Sequence, residues 1–274
     1  MSILTQGRWL HPLFKQHLAT NTLVAPTTDA ETIKFSQWAT QADIFIRTLD
    51  TQGPLARMDV LHLFYSNSDA HSRTNIIDPS YGMLSKISAP TFQQYYCWSQ
   101  TSDAGYLSNS SLDYQPMTAG SGKKFALNDH SFGCAHLANR IDGVAAAAVM
   151  RVQTCRLHGR RSTNNFETLS GTATVATIAN STGQTAGVYG VVRTSSADYL
   201  RYKHGVLFGS AVPSDTTGQS TGSISMRLFA NNSAVTMSDM PVGMQWYGSS
   251  MTAAQMAIIQ NAWKVFSINM GVLQ

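Results

Sequence analysis

A chain of 274 residues with 43% hydrophobic residues can bury a sizeable core, and a charged share of only 12% sets it apart from the usual free cytosolic enzyme, which carries mixed surface charge for solubility. The net charge of +4 is mild, so no nucleic-acid partner is expected, and there is no apolar run long enough to span a membrane. Cys97, Cys134 and Cys155 are odd in number and widely spaced, which excludes a disulfide framework and predicts buried thiols.

Met1 to Leu10 lacks the apolar stretch of a secretory signal, so folding in a reducing cytosol is expected and the glycosylation patterns at Asn109, Asn180 and Asn231 are chance matches. Residues 1–27 read as an irregular apolar arm. Trp9, Leu10, Leu13, Phe14 and Leu18 could form a short helical turn broken by Pro12. Residues 28–50 read as a helix, capped by Thr28 or Asp29, with Glu31 in its first turn and Gly53-Pro54 ending it. Phe35, Trp38, Ala42, Phe45 and Leu49 form one stripe on it. That stripe either covers a sheet or associates across a symmetry axis.

From Met58 the pattern turns to strands. Met58 to Tyr65 is a near-continuous apolar run, which suits a central strand. Further strand-like runs follow at 92–98, 106–107, 131–137, 145–152, 173–178, 187–193, 199–203, 206–208, 223–229 and 244–247. Tyr199 to Val206 predicts a hairpin with Gly205 at its turn, and 214–222 reads as a long hairpin loop. Thr252 and Gln255 form a capping box, Met256, Ile259, Trp263, Phe266 and Met270 a helical stripe, and Gly271 a C-terminal cap. The expected fold is mainly β: an antiparallel β-sandwich of jelly-roll type with an amphipathic helix near each terminus. Its expected parts are an arm and helix over 1–54 and a sandwich over 55–274.

Catalytic signatures are missing from the sequence. No Gly-x-Ser-x-Gly elbow occurs, and Gly120 to Lys124 lacks both the first glycine and the hydroxyl of a phosphate loop, so it reads as a turn. Arg156 to Arg161 is the densest basic cluster and reads as a solvated turn, a nucleic-acid contact being the alternative. The histidines are dispersed. His62 is expected as a hydrogen-bonded core residue, His130, His136 and His158 could converge, and no metal or cofactor is expected. Glu31, on the helix, and Glu167, read as lying in a polar loop, are the only glutamates, which disfavours a glycosidase with paired carboxylates. Tyr95, Tyr96, Trp98, Asp103, Tyr106, Asp113 and Tyr114 lie in one stretch. They are either core aromatics or a glycan-binding set of ring faces and carboxylates.

Three segments resemble the concanavalin A-like (laminin-G or lectin-type jelly-roll) domains of structural proteins of tailed bacteriophages. They are Arg57 to Leu61, Asn128-Asp129-His130-Ser131-Phe132-Gly133, and the terminal strand, Thr252-Ala253-Ala254-Gln255 and helix. The resemblance spans roughly residues 55–274. It implies a non-enzymatic virion component, such as a head decoration, fibre or tail part, made in the host bacterial cytoplasm. Its partners would be other virion proteins or further copies of itself. Trp9, Leu13, Phe14, Phe35, Trp38 and Phe45, outside the resemblance, are the expected assembly residues. A carbohydrate-binding adhesin that takes a host surface glycan is the alternative, with a glycoside hydrolase behind it.

Overall fold

The computed structural model describes residues 10–20, 23–81, 84–87, 91–94, 97–99, 101–102, 105–106, 111–114, 117–118, 124–126, 128–137, 150–152, 155–158, 165–170, 176–179, 186–214, 223–224, 226–228 and 241–272. The helices among them are α1 (Pro12–Thr20), α2 (Asp29–Thr51), α3 (Asp69–Arg73) and α4 (Ala253–Asn269). In chain order the strands are β1 (Met58–Leu63), β2 (Leu84–Ile87), β3 (Thr91–Gln93), β4 (Cys97–Ser99), β5 (Thr101–Ser102), β6 (Gly105–Tyr106), β7 (Ser111–Tyr114), β8 (Met117–Thr118), β9 (His130–His136) and β10 (Met150–Val152). They continue as β11 (Cys155–His158), β12 (Asn165–Leu169), β13 (Ala176–Ala179), β14 (Gly187–Arg193), β15 (Asp198–Lys203), β16 (Val206–Leu207), β17 (Val212–Pro213), β18 (Ser223–Ile224), β19 (Met226–Leu228) and β20 (Val242–Gly248).

Two antiparallel sheets make the sandwich. The first runs β16-β15-β14-β9-β20-β4-β3, with β1 also on β20 and β17 on β15. The second runs β13-β12-β11-β10-β19-β7-β2. One hydrophobic cluster lies between the helices and the first sheet and includes Trp38, Phe45, Trp246, Trp263 and Phe266. A second lies between the sheets and includes Phe132, Leu157, Phe166, Tyr189 and Tyr247. The order of layers is therefore helices, first sheet, second sheet. The first sheet is covered on both faces, so β1, β9, β14 and β20 are buried along their whole length. This is why Met58 to Leu63 reads as a continuous apolar run rather than an alternating one.

The ends of the helices follow the sequence. Thr28 and Glu31 close a capping box on α2, and Thr252 and Gln255 close another on α4. Gly271 is left-handed at φ 71°, with Val272 N–H donating to the Ser267 carbonyl and Gly271 N–H to Ile268. That pair of bonds is a Schellman ending. The predicted β15–β16 hairpin turns on His204 and Gly205, both at positive φ. Such a pair suits a two-residue turn whose twist matches the strands. A Cβ on Gly205 would lie 2.9 Å from Ala257 Cα, so the turn also needs glycine in order to sit on α4.

Two expectations are corrected. Pro12 starts α1 instead of breaking a turn, because the first helical position needs no N–H and accepts the fixed φ of proline. The arm, expected either to pack on the body or to dock onto a partner, packs on the body where it is described: Phe14 packs edge-on against Trp38 at 5.8 Å, and Asp43 accepts the His11 N–H at 2.5 Å. Of the residues expected to face a partner, Phe14, Phe35, Trp38 and Phe45 are buried in the chain's own core, and Leu13 is packed against it. The stripe on α2 covers the first sheet, the reading that needs no partner. Trp9 lies outside the described residues.

Candidate functional site

Most of the polar groups that the sequence offered for chemistry are consumed by the fold. Lys124, at the end of the phosphate-loop-like run, gives its backbone N–H to the Asp59 carboxylate at 2.8 Å, as Phe125 does at 2.7 Å. The chain's own acid thus holds these donors. Glu31 serves the α2 cap, accepting from the Thr27 and Thr28 N–H groups at 2.7 and 3.2 Å, and those bonds hold its carboxyl below the usual carboxylate range. Glu167 is not in a loop. It lies in β12, buried, in register with His158 and Thr177.

The histidines do not converge. His130 and His136 stand at opposite ends of β9, about 20 Å apart at the strand rise. His158 lies on the other sheet. Among the described residues no group of three or more His, Cys, Asp or Glu could hold a metal. His62 is the expected core residue, with its Nδ1 3.0 Å from the Gln245 side-chain nitrogen. Cys134 and Cys155 are buried thiols in no disulfide, and burial pushes the Cys134 thiol far up. Cys97 stands on β4, and its side chain lies outside the description.

A buried polar cluster at one end of the sandwich was missed in the sequence. His130 Nδ1 is 2.9 Å from the Ala126 carbonyl and its Nε2 3.2 Å from Ser170 Oγ, with Cys155 Sγ 3.9 Å away. Arg193, fully buried, donates to the carbonyls of Ser170, Ser195 and Ser196, each at 2.8 Å. The set has the residue types of a nucleophile and base. His130 and Ser170 are fully buried and Cys155 nearly so, and no described cavity reaches them. The arrangement pins β9, β11 and β14 together by satisfied buried hydrogen bonds.

His17 and His71 form the interface between α1 and α3, with ring centroids 5.3 Å apart. Burial first, then the neighbouring His71 and His62, brings His17 down to about 3. Burial also lowers His71, against a weaker raising effect of the Leu18 carbonyl. Both are neutral in the fold, whereas the unfolded chain takes up protons near pH 6.5. Stability from this pair is therefore complete above about pH 6.5 and falls below it, by up to about 1.4 kcal/mol per pH unit for the fully buried His17. Urea midpoints measured between pH 7 and pH 4 are expected to drop in the natural chain and to drop less in His17→Leu. An equal slope in both would contradict this placement.

The glycan-binding set is divided by the fold. Trp98 stands on β4 of the first sheet, in register with Val242. Tyr106 belongs to the β5–β6 ribbon, in register with Thr101. Asp113 and Tyr114 stand on β7 of the second sheet, in register with Arg227 and Leu84. Tyr95, Tyr96 and Asp103 lie outside the described residues. The described helices pack on the first sheet.

No protein-family model and no curated protein matches the chain. Solved structures do. A Trypanosoma rangeli sialidase in complex with 2,3-difluorosialic acid is similar over 83% of this chain and 39% of its own, with a TM-score of 0.56 at 10% identity. The binding domain of botulinum neurotoxin DC in complex with SialylT is similar over 76% of this chain and 51% of its own, with a TM-score of 0.51 at 7% identity. A botulinum neurotoxin type C structure, whose cell entry depends on interaction with two ganglioside molecules, matches over 76% of this chain and 52% of its own, with a TM-score of 0.50 at 9% identity. The chain spans between two fifths and about half of the length of these structures. What they share with it is the fold, an antiparallel β-sandwich.

Proposed function

We propose that this chain is a non-enzymatic carbohydrate-recognition module, an adhesin or receptor-binding domain. The observation that carries the reading is the one-sided placement of the helices. The described helices occupy the outer face of the first sheet, and we assign recognition to the second sheet and the loop ends. Solved proteins of the same fold, found in complex with sialylated sugars or dependent on gangliosides, support the ligand class. The absence of turnover is supported by the use of both glutamates: Glu31 caps a helix and Glu167 is buried in a strand. The test is an array of neutral and acidic glycans probed with the full chain, with released sugar assayed in parallel. Binding without release is expected. Release of sugar would make the chain an enzyme, and an array without binding would remove the lectin reading.

The setting we propose is a bacteriophage particle, on the sequence resemblance alone, with many copies supplying avidity where each site is weak. A specific feature of the helical layer supports self-association. Ile44, Val265 and Ile268 are 44%, 52% and 47% exposed. Ile44 and Val265 flank a groove of about 290 Å³ between α2 and α4, whose lining carries no charge. In a chain of net charge +4, this face can meet its own copy without like-charge repulsion. The two helices offer a face about 25 Å long and about 20 Å wide, so two copies would bury on the order of 1,000 Å², the lower bound of a specific interface. Light scattering is expected to give a dimer for the natural chain, and a monomer with unchanged melting for Ile44→Glu. A monomer from the natural chain at about 100 μM, a concentration at which even a weak interface would pair, would remove the self-association.

A further inference from the structure

A buried cation in the first sheet is left unsatisfied by the fold. Arg201 stands in β15 as the register partner of Val191, two residues from Tyr199. Val191 and Tyr199 belong to the cluster between the sheets, so the Arg201 side chain points into the sandwich. Arg201 is 7% exposed, and its Nε and Nη1 are buried without a hydrogen-bond partner. Arg193 gives the contrast: the same fold surrounds that guanidinium with the carbonyls of Ser170, Ser195 and Ser196. None of the ion pairs among the described residues includes Arg201. Burial lowers its pKa, and among the described groups only the Tyr199 phenol acts against that.

The edge of the sheet bulges beside this side chain. Tyr202 is in register with Leu207 and Tyr199 with Val212, so the four residues Phe208 to Ala211 stand opposite only two, Leu200 and Arg201. The Phe208 N–H still donates to the Arg201 carbonyl at 2.8 Å, and the surplus is looped out after it. Gly209 turns the chain at φ 80°, and a Cβ on it would lie 2.8 Å from Ile178 Cδ1 and 3.0 Å from Arg201 Nη2. Gly209 and Ser210 are exposed, so the guanidinium lies directly beneath a surface bulge. Phe208 and Ile178 pack against the inter-sheet cluster on either side, with Phe166 at 6.0 Å from the Phe208 ring. Bulges that re-aim a side chain are over-represented next to functional sites.

We infer that Arg201 and the Phe208–Ala211 bulge form a binding site for an oxyanion, a carboxylate or sulfate group, carried on an apolar or aromatic body. Such a site is independent of the carbohydrate reading above. A guanidinium keeps its proton at neutral pH, so burying it without a partner costs free energy that a bound anion would offset. Its planar fork of donors suits the paired oxygens of such a group. Phe208 and Ile178 supply apolar walls for the rest of the ligand. The flanking strands β16 and β17 are two residues each, so little pairing holds the bulge closed over the guanidinium.

The test is titration of the full chain with benzoate, with benzamide as its neutral isostere and inorganic sulfate as a bare anion, followed by calorimetry and amide spectra. Benzoate is expected to bind about tenfold or more tighter than benzamide, the scale of a charge-assisted hydrogen bond, and to shift the amide signals of Gly209 and Ser210. Sulfate binding as tightly as benzoate would overturn the apolar body and leave a site for a bare anion. Arg201→Met is expected to abolish the benzoate preference while leaving the melting temperature unchanged or raised, because an apolar chain replaces an unpaired buried charge. Arg201→Gln serves as the second variant should the first fail to fold, and the amide shifts of the natural chain need neither. Equal affinity for benzoate and benzamide would overturn the inference. So would a benzoate preference that survives both substitutions, or amide shifts that leave 208–211 untouched. A lowered melting temperature in Arg201→Met, with a natural chain indifferent to benzoate, would make the guanidinium structural.

Discussion

A chain beginning at Pro54 is expected not to fold. Removal of α1 and α2 strips Phe14, Phe35, Trp38, Phe45, Ile46 and Leu49 from a continuous core, each now at most 6% exposed. At about 2 kcal/mol for each buried apolar side chain the loss is on the order of 12 kcal/mol, comparable to the whole stability of a typical domain. Polar ties go with them. Trp38 Nε1 donates to the Tyr65 carbonyl at 2.8 Å, and the Tyr65 hydroxyl donates to Met270 at 3.2 Å, so α2, the chain after β1 and the end of α4 form one unit. Phe45 packs against Trp263 and Phe266 at 6.4 and 5.8 Å, and without α2 both aromatics would face water. Amide spectra of the truncated chain are expected to lack native dispersion. A cooperative, well-dispersed monomer from Pro54 onward would show that the helical layer is dispensable.

Gly133→Val is expected to destabilise the chain by about 3 kcal/mol or more, the upper range for overpacking. Gly133 and Gly190 are register partners on β9 and β14, and Trp246 on β20 is in register with Gly133. The Trp246 indole lies across this trough. A Cβ at Gly133 would overlap its ring and the Tyr189 carbonyl, and one at Gly190 would come within 2.5 Å of Met256 Cε on α4. The two glycines let a tryptophan lie flat beneath the helix on a sheet that is covered on both faces. Thermal unfolding is the measurement, with a drop of about 10 °C expected for a chain of this length. Trimming the ring in Gly133→Ala with Trp246→Leu should recover part of the loss that Gly133→Ala causes, as the coupling of two touching residues. Additive losses in that double variant would contradict the trough.

The elements legible in the sequence are those fixed by local chemistry. Thr28 with Glu31 and Thr252 with Gln255 mark helix starts, Gly53 and Gly271 mark their ends, and His204-Gly205 marks a hairpin. Strands β1, β9, β14 and β20 were visible because burial on both faces requires apolar residues without a break. The second sheet was harder to read. Asn165 to Leu169 carries a charge at Glu167 and looks polar, and only its neighbours β11 and β13 make it a strand. Cys155 to His158 did hold a signal, since Cys155 and Leu157 alternate with Arg156 and His158, but the nearby arginines drew it toward a turn. The apolar faces of Phe35, Trp38 and Phe45 were found correctly, but a stripe does not say whether its partner is the same chain or another.

The candidate site was less legible than the fold for a related reason. Arg227 lies far in sequence from Arg151 and Arg156, and the three backbones are brought together only by the register of β10, β11 and β19. No window of sequence contains that row. Asp113 was noticed for its neighbours in sequence, Tyr106 and Tyr114, whereas the fold sets it beside Arg227. The Arg193 cluster is similar: one arginine after a valine pair gives no sign that the carbonyls of Ser170, Ser195 and Ser196 will surround it.

The account stands on carbohydrate recognition without turnover, and the most direct measurement is the full chain on an array of neutral, sialylated and sulfated glycans. The account predicts saturable binding that favours the acidic sugars, with no sugar released over hours. An array that stays blank at high protein concentration, with the chain folded by its amide spectrum, would contradict it.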